Sequence, residues 1–89
     1  MIQNFDHTMG GQLVQLCASI GQEPANRVII SLADSAKTLV VFDASGVIGT
    51  LKAELEDPEQ LIADAIRKAK DDGLIERAIA TGAIQEARL

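Results

Sequence analysis

Apolar residues near the N-terminus recur at helical spacing, and the pattern predicts a short first helix. Four residues share one helix face: Leu13, Leu16, Cys17 and Ile20. The helix is expected to run from about Thr8 or Gly11 to Ile20, because Gly21 stands where a helix C-terminus favours glycine. The glycine pair at 10–11 makes its first residue uncertain, since glycine costs helix propensity.

The middle of the chain changes to β-branched and alternating patterns, which predict strands. Segments 27–33 (RVIISLA) and 38–43 (TLVVFD) are separated by the turn-like 34–37, and 47–56 (VIGTLKAELE) alternates apolar and polar residues. The loop 44–46 places Gly46 where a three-residue hairpin loop needs a positive φ. Together these segments predict a three-stranded antiparallel meander.

The last third of the chain predicts helices. Asp57 and Pro58 are typical of a helix start, and Gly73 is placed to end that helix. The segments after Gly73, LIERAIATG and AIQEARL, read as further short helical pieces. The predicted fold is one α+β domain over residues 1–89: an N-terminal helix, the three-stranded meander, a C-terminal helix and short helical segments. Residues 74–89 either pack on the sheet or form a partner-docking tail.

The predicted hairpin loop fixes a register with Asp43 opposite Val47, and this register separates the two sheet faces. Leu39 and Val41 would lie under the helices. The opposite face would carry three large apolar residues: Val40, Phe42 and Ile48. Such a face needs a cover, which is the N-terminal helix, a second copy of the chain or a different protein. We expect these three residues to form an interface.

Composition and net charge restrict the classes of partner that the chain can bind. The formal net charge is −5 and only two residues are aromatic, so nucleic acid and anionic membranes are poor partners. No apolar run approaches the length of a membrane span and no signal peptide is apparent. Cys17 is the single cysteine, which suits a reducing compartment. We expect a cytoplasmic protein.

One dense acidic stretch stands out: Glu54, Glu56, Asp57, Glu59 and Asp64. It is either a face that binds a basic partner, as an inhibitor or nucleic-acid mimic would, or a solvated strand end followed by a helix N-terminus that favours acids. Its spacing does not fit a calcium-binding loop.

Residues for catalysis or metal binding are scarce. His7 is the only histidine, so one chain cannot form a Ser-His-Asp triad or a two-histidine metal site, and we expect His7 at the surface. Cys17 falls on the apolar side of the predicted first helix, where a thiol acts as a small hydrophobe. We therefore expect no cofactor, no metal and no enzymatic activity, with a site shared between subunits as the remaining enzymatic alternative.

Two short resemblances bear on function. The segment VVFDASG resembles the first motif of the haloacid-dehalogenase-like phosphatases, which implies a nucleophilic Asp43 and a second aspartate two positions later. Ser45 occupies that second position, so we interpret Asp43 as a turn residue. The predicted element order is similar to the double-stranded-RNA-binding domain, but EDPEQ stands where that family places basic residues.

These observations favour a non-enzymatic protein-interaction module. We expect a homodimer or a small regulatory or adaptor protein that uses the apolar sheet face, with the acidic inhibitor as the alternative.

Overall fold

The described residues form an α+β fold in which two helices cover a five-stranded mixed sheet. In a computed structural model of the chain, the described residues are 2–20, 27–43 and 58–89. Their elements are β1 (Ile2–Met9), β2 (Gln12–Ile20), β3 (Arg27–Leu32), β4 (Thr38–Asp43), α1 (Pro58–Asp71), α2 (Leu74–Thr81) and β5 (Gln85–Arg88). Strand order in the sheet follows sequence order; β1 to β4 are antiparallel and β5 is parallel to β4.

The predicted N-terminal helix is wrong, because residues 2–20 form a β-hairpin. Gly10 and Gly11 are its two-residue loop, with φ of 55° and 81°. Positive φ at both central residues is the geometry of the turn that best matches strand twist. Helical spacing required Leu13 to be buried, yet Leu13 is 63% exposed. The residues that face the core instead alternate along β2: Val14, Leu16, Ala18 and Ile20.

The predicted meander is also wrong, although its first two strands are confirmed. β3 and β4 pair antiparallel, with Val28 opposite Phe42 and Ile30 opposite Val40. The expected third strand, 47–56, lies outside the described residues. The sheet is not a meander of three strands, because β3 occupies one edge of β4 and β5 the other. The predicted helical segment at the C-terminus is a strand, since residues 85–88 extend along β4 instead of continuing a helix.

The helix start and the break at Gly73 are confirmed. α1 begins at Pro58, and α2 follows Gly73, whose φ of 68° is left-handed. Gly82, with φ 71°, ends α2 and donates its amide to the Ala78 carbonyl. Glycine at both positions is required because a side chain disfavours positive φ. Residues 74–89 therefore belong to the packed fold: α2 buries Leu74, Ile75 and Ala78, and β5 pairs with β4.

The core lies between the helices and one face of the sheet. Strand residues of the core include Leu16, Ala18, Val28, Ile30, Leu39, Val40 and Phe42, and helix residues include Leu61, Ile62, Ala65, Ala69, Leu74, Ile75 and Ala78. The predicted face assignment of β4 is thus wrong, because Val40 and Phe42 lie under the helices. The β3–β4 register shifts beside Ile30, where one step along β3 spans two residues of β4, so Leu39 also enters the core.

Candidate interaction surface

Two of the three apolar residues expected to form an interface lie in the core instead. Val40 and Phe42 are 0% exposed within the chain, so no partner can reach them in the folded protein. Ile48 lies outside the described residues. A binding surface must therefore be sought elsewhere on the molecule.

The acidic stretch is only partly described, since Glu54, Glu56 and Asp57 lie outside the described residues. Glu59 is exposed in the first turn of α1. Asp64 accepts hydrogen bonds from Gln60 Nε2 at 2.9 Å and from Arg67 Nη2 at 3.1 Å, both on its own helix. These two described acids thus behave as helix-surface residues, and no described contact joins them into one patch.

Asp43 is the last residue of β4. It stands in register with Arg27 of β3 and Arg88 of β5, and its backbone carbonyl accepts the Leu89 amide at 3.0 Å. The loop 44–46 that it was predicted to begin lies outside the described residues. Both strands that flank β4 therefore place an arginine in register with Asp43.

The most unusual surface of the described residues is the free edge of β1. In the sheet that they form, β1 and β5 are the two edge strands. β1 is eight residues long and pairs with β2 without a bulge from Ile2 to Met9. Natural edges are usually blunted by short length, lysine, proline or bulges. The segment IQNFDHTM has none of these and only one formal charge, Asp6.

Hairpin geometry determines which backbone groups β1 presents at this edge. A two-residue loop is closed by a hydrogen-bonded pair, here Met9 and Gln12, and hydrogen-bonded pairs alternate from there. Phe5 and His7 consequently direct their amides and carbonyls at β2. The backbone groups pointing outward from the edge belong to the other residues: Ile2, Asn4, Asp6 and Thr8.

One lysine contacts this edge from α1. Lys70 Nζ donates a hydrogen bond of 2.9 Å to the Asp6 backbone carbonyl. The same ammonium lies 5.5 Å from the centroid of the Phe5 ring, within the range of a cation–π contact. Lys70 therefore reaches over the edge strand and ends at one of the outward-pointing carbonyls.

His7 was expected at the surface, but it is only 9% exposed. Its Nε2 lies 3.1 Å from Glu76 Oε1 of α2, and it makes no hydrogen bond within the described part of the chain. The signal missed in the sequence is alternation: Phe5, His7 and Met9 share the face of β1 that turns toward the helices. His7 and Glu76 join β1 to α2 at the edge of the core.

The sheet face opposite the helices carries scattered apolar residues. Ile2 is 71% exposed and Leu13 is 63% exposed, near opposite ends of the β1–β2 hairpin. Cys17 also lies on this face, partly buried, with its Sγ 3.2 Å from Ser31 Oγ. The expected place of Cys17 on the apolar side of a helix is therefore wrong, because Cys17 lies on β2, on the sheet face that points away from the core.

The described residues offer little for catalysis. They contain no group of three or more metal-ligating side chains of His, Cys, Asp or Glu. A depression of about 330 Å³ beside β2 is lined by Leu13, Val14, Gln15, Leu32 and Asp34 and is open to solvent. It brings together no nucleophile and base. Among residues 2–20, 27–43 and 58–89, no helix is long and apolar enough to cross a membrane.

Comparison of the chain with protein-family models, curated proteins and solved structures gave no match.

Proposed function

We propose that this chain is a non-enzymatic protein-interaction module that works as a homodimer, in which the β1 strands of two copies pair. The observation that carries the proposal is the edge of β1, which has no neighbouring strand on one side among residues 2–20, 27–43 and 58–89. It is eight residues long, unbroken by a bulge and nearly uncharged. Such an edge is a ready template for a strand of another chain. The single thiol suits the cytoplasm, where we place the protein.

A second copy fits this edge because the strand is self-complementary. Two identical strands related by a two-fold axis pair antiparallel, and residues on the same face meet only when their numbers sum to an even value. Within Ile2–Met9, an axis at Phe5 and an axis at Asp6 give equally long overlaps. The axis at Phe5 places Phe5 opposite Phe5, with Asn4 opposite Asp6 of the other copy. Ile2 then lies opposite Thr8, so all the outward-pointing backbone groups of β1 gain partners.

Charge supports the same register. Moving the axis by one residue to Asp6 would place the two Asp6 carboxylates directly opposite each other, and like charges in that position are destabilising. The register centred on Phe5 instead puts each Asp6 beside an uncharged Asn4. It also brings two aromatic rings together on the helix side of the joined sheet, an arrangement that favours cross-strand pairing.

Size gives a further reason to associate. A chain of 89 residues buries a smaller fraction of its surface on folding than a larger domain does, and the β1–β2 hairpin extends beyond the β2–β3 register. The β2–β3 register runs from Leu16 to Ile20, and the Gln15 carbonyl also accepts the Ala33 amide at 3.1 Å, so residues 12–14 lie past these bonds. Two-stranded ribbons are marginal in water. Pairing of the β1 strands would embed this ribbon in a wider sheet.

The test is the mass in solution of the wild type, Asn4→Pro and Asn4→Val, measured by light scattering and sedimentation across a dilution series. Proline at position 4 removes an outward-pointing amide and leaves the bonds to β2 intact. We expect a wild-type dimer, a folded Asn4→Pro monomer and an Asn4→Val dimer. A wild type that is monomeric at every concentration, or an Asn4→Pro dimer as tight as the wild type, overturns the proposal.

A further inference from the structure

The outward-pointing carbonyl of Asp6 is already occupied. Lys70 Nζ donates to it at 2.9 Å, in a hydrogen bond that is exposed to solvent. In the register centred on Phe5, this carbonyl is the acceptor for the Asn4 amide of the second copy. Lysine and partner strand therefore compete for one group near the middle of the interface.

We propose that Lys70 guards the β1 edge: its ammonium occupies the acceptor that a partner strand needs, and association displaces it. This inference rests on the proposed function. Lysine is the residue most used to protect sheet edges, usually from the edge strand itself. Here β1 has no lysine, and the protecting side chain comes from α1 instead.

The position of Lys70 makes the guard reversible. The side chain is exposed, and its ring contact with Phe5 is 5.5 Å from nitrogen to centroid. An ammonium that leaves the carbonyl can return to water with three donors free to be solvated. Because a two-fold dimer joins two β1 strands, each association event displaces two Lys70 side chains, and the guard lowers affinity without preventing binding.

The test compares dimer dissociation constants for the wild type, Lys70→Met, Lys70→Arg and Lys37→Met by sedimentation. Methionine keeps a long apolar chain against Phe5 but has no donor, whereas arginine keeps both charge and donors. Lys37 is exposed in the β3–β4 turn, so Lys37→Met controls for the added negative charge. We expect Lys70→Met to dimerise about tenfold more tightly than Lys37→Met, since two weak charged hydrogen bonds are no longer displaced. Lys70→Arg should stay close to the wild type.

The outcomes separate the two proposals. A wild-type dimer that Asn4→Pro splits, combined with equal affinities for Lys70→Met and Lys37→Met, overturns the guard and leaves the edge dimer standing. Weaker association of Lys70→Met than of Lys37→Met also overturns it, because the lysine would then support the dimer. Monomers for every variant at every concentration overturn both the guard and the edge dimer.

Discussion

The two edges of the sheet contrast in length and in charge. β5 has four residues, and two of them, Glu86 and Arg88, are charged and exposed. β1 has eight residues with Asp6 as its one formal charge. By the usual means of protecting an edge, β5 is closed to other chains and β1 is open. β5 thus completes the fold, whereas one side of β1 has no neighbouring strand in the sheet formed by the described residues.

The contrast extends to how each edge is held. β5 begins just after α2 and runs beside the most buried strand, with Ala87 in register with Phe42 and packed against the core. β1 is held by its pairing with β2 and by contacts from the helices to Phe5, Asp6 and His7. The protected edge is therefore part of the interior packing, whereas the open edge lies at its margin.

Substituting the two phenylalanines should give the largest effect, because one lies beside the protected edge and the other on β1. Phe42 lies beside β5 and is 0% exposed, whereas Phe5 lies on β1 and is half-buried. Phe42→Ala should lower the free energy of unfolding by about 3–5 kcal/mol, the range for a buried phenylalanine. Phe5→Ala should cost less than half as much at equal, low protein concentration. Urea titrations of both variants measure this, and equal losses would show that the β1 edge is as tightly packed as the interior.

The hairpin loop gives the next largest effect, because the open edge depends on the β1–β2 turn. Gly10 has φ 55°, which a β-branched side chain tolerates poorly. Gly10→Val should cost about 1–2 kcal/mol, whereas Gly10→Asn should be close to neutral, since Asn-Gly suits this turn. Thermal unfolding of both variants provides the measurement. Similar melting temperatures for the two would contradict a turn with positive φ at this position.

The same turn shows why the N-terminal prediction failed. Gly10-Gly11 between alternating segments is a hairpin signal, and Val14, Leu16, Ala18 and Ile20 alternate after it. Helical spacing matched equally many residues and took Leu13 as buried. Only the partner strand decides between the two readings, and β1, with Asn4 and Asp6 in it, has weak strand propensity of its own.

Near the C-terminus, the local sequence signals for the helices are stronger than the signal for β5. The α1 start at Pro58 and the break at Gly73 depend on local backbone chemistry, so sequence reasoning could find them. β5 has only four residues, QEAR, and its strand state depends on the free edge of β4 that receives it. Likewise Lys70 and Asp6 are 64 positions apart, and no local pattern predicts their contact.

Removing the charges of β5 should make the protected edge resemble the open one. In Glu86→Val with Arg88→Val, the net charge stays at −5 while the strand loses both charged residues. We expect assemblies larger than a dimer at high concentration, because both edges would then lack protection. The matched control is Glu59→Val with Arg67→Val on the exposed side of α1. Unchanged light-scattering mass for the β5 variant would show that four residues are too few for pairing whatever their charge.

Ionic strength should have the smallest effect on the affinity of the dimer. The direction of that effect distinguishes the β1 edge from an interface held by opposite charges. Each copy carries a net charge of −5, so two copies repel, while the proposed contacts across β1 join mainly uncharged groups. Raising the ionic strength from 0.01 to 0.1 M shortens the screening length from about 30 to about 10 Å, and it should tighten the wild-type dimer a few-fold. Sedimentation at the two salt concentrations measures the change. A dimer that tightens with salt agrees with an interface of backbone hydrogen bonds and aromatic rings, which the β1 edge provides. Weakening would instead mean that opposite charges hold the copies together, through Lys70 at the β1 edge or on another surface, because β1 itself has no lysine or arginine.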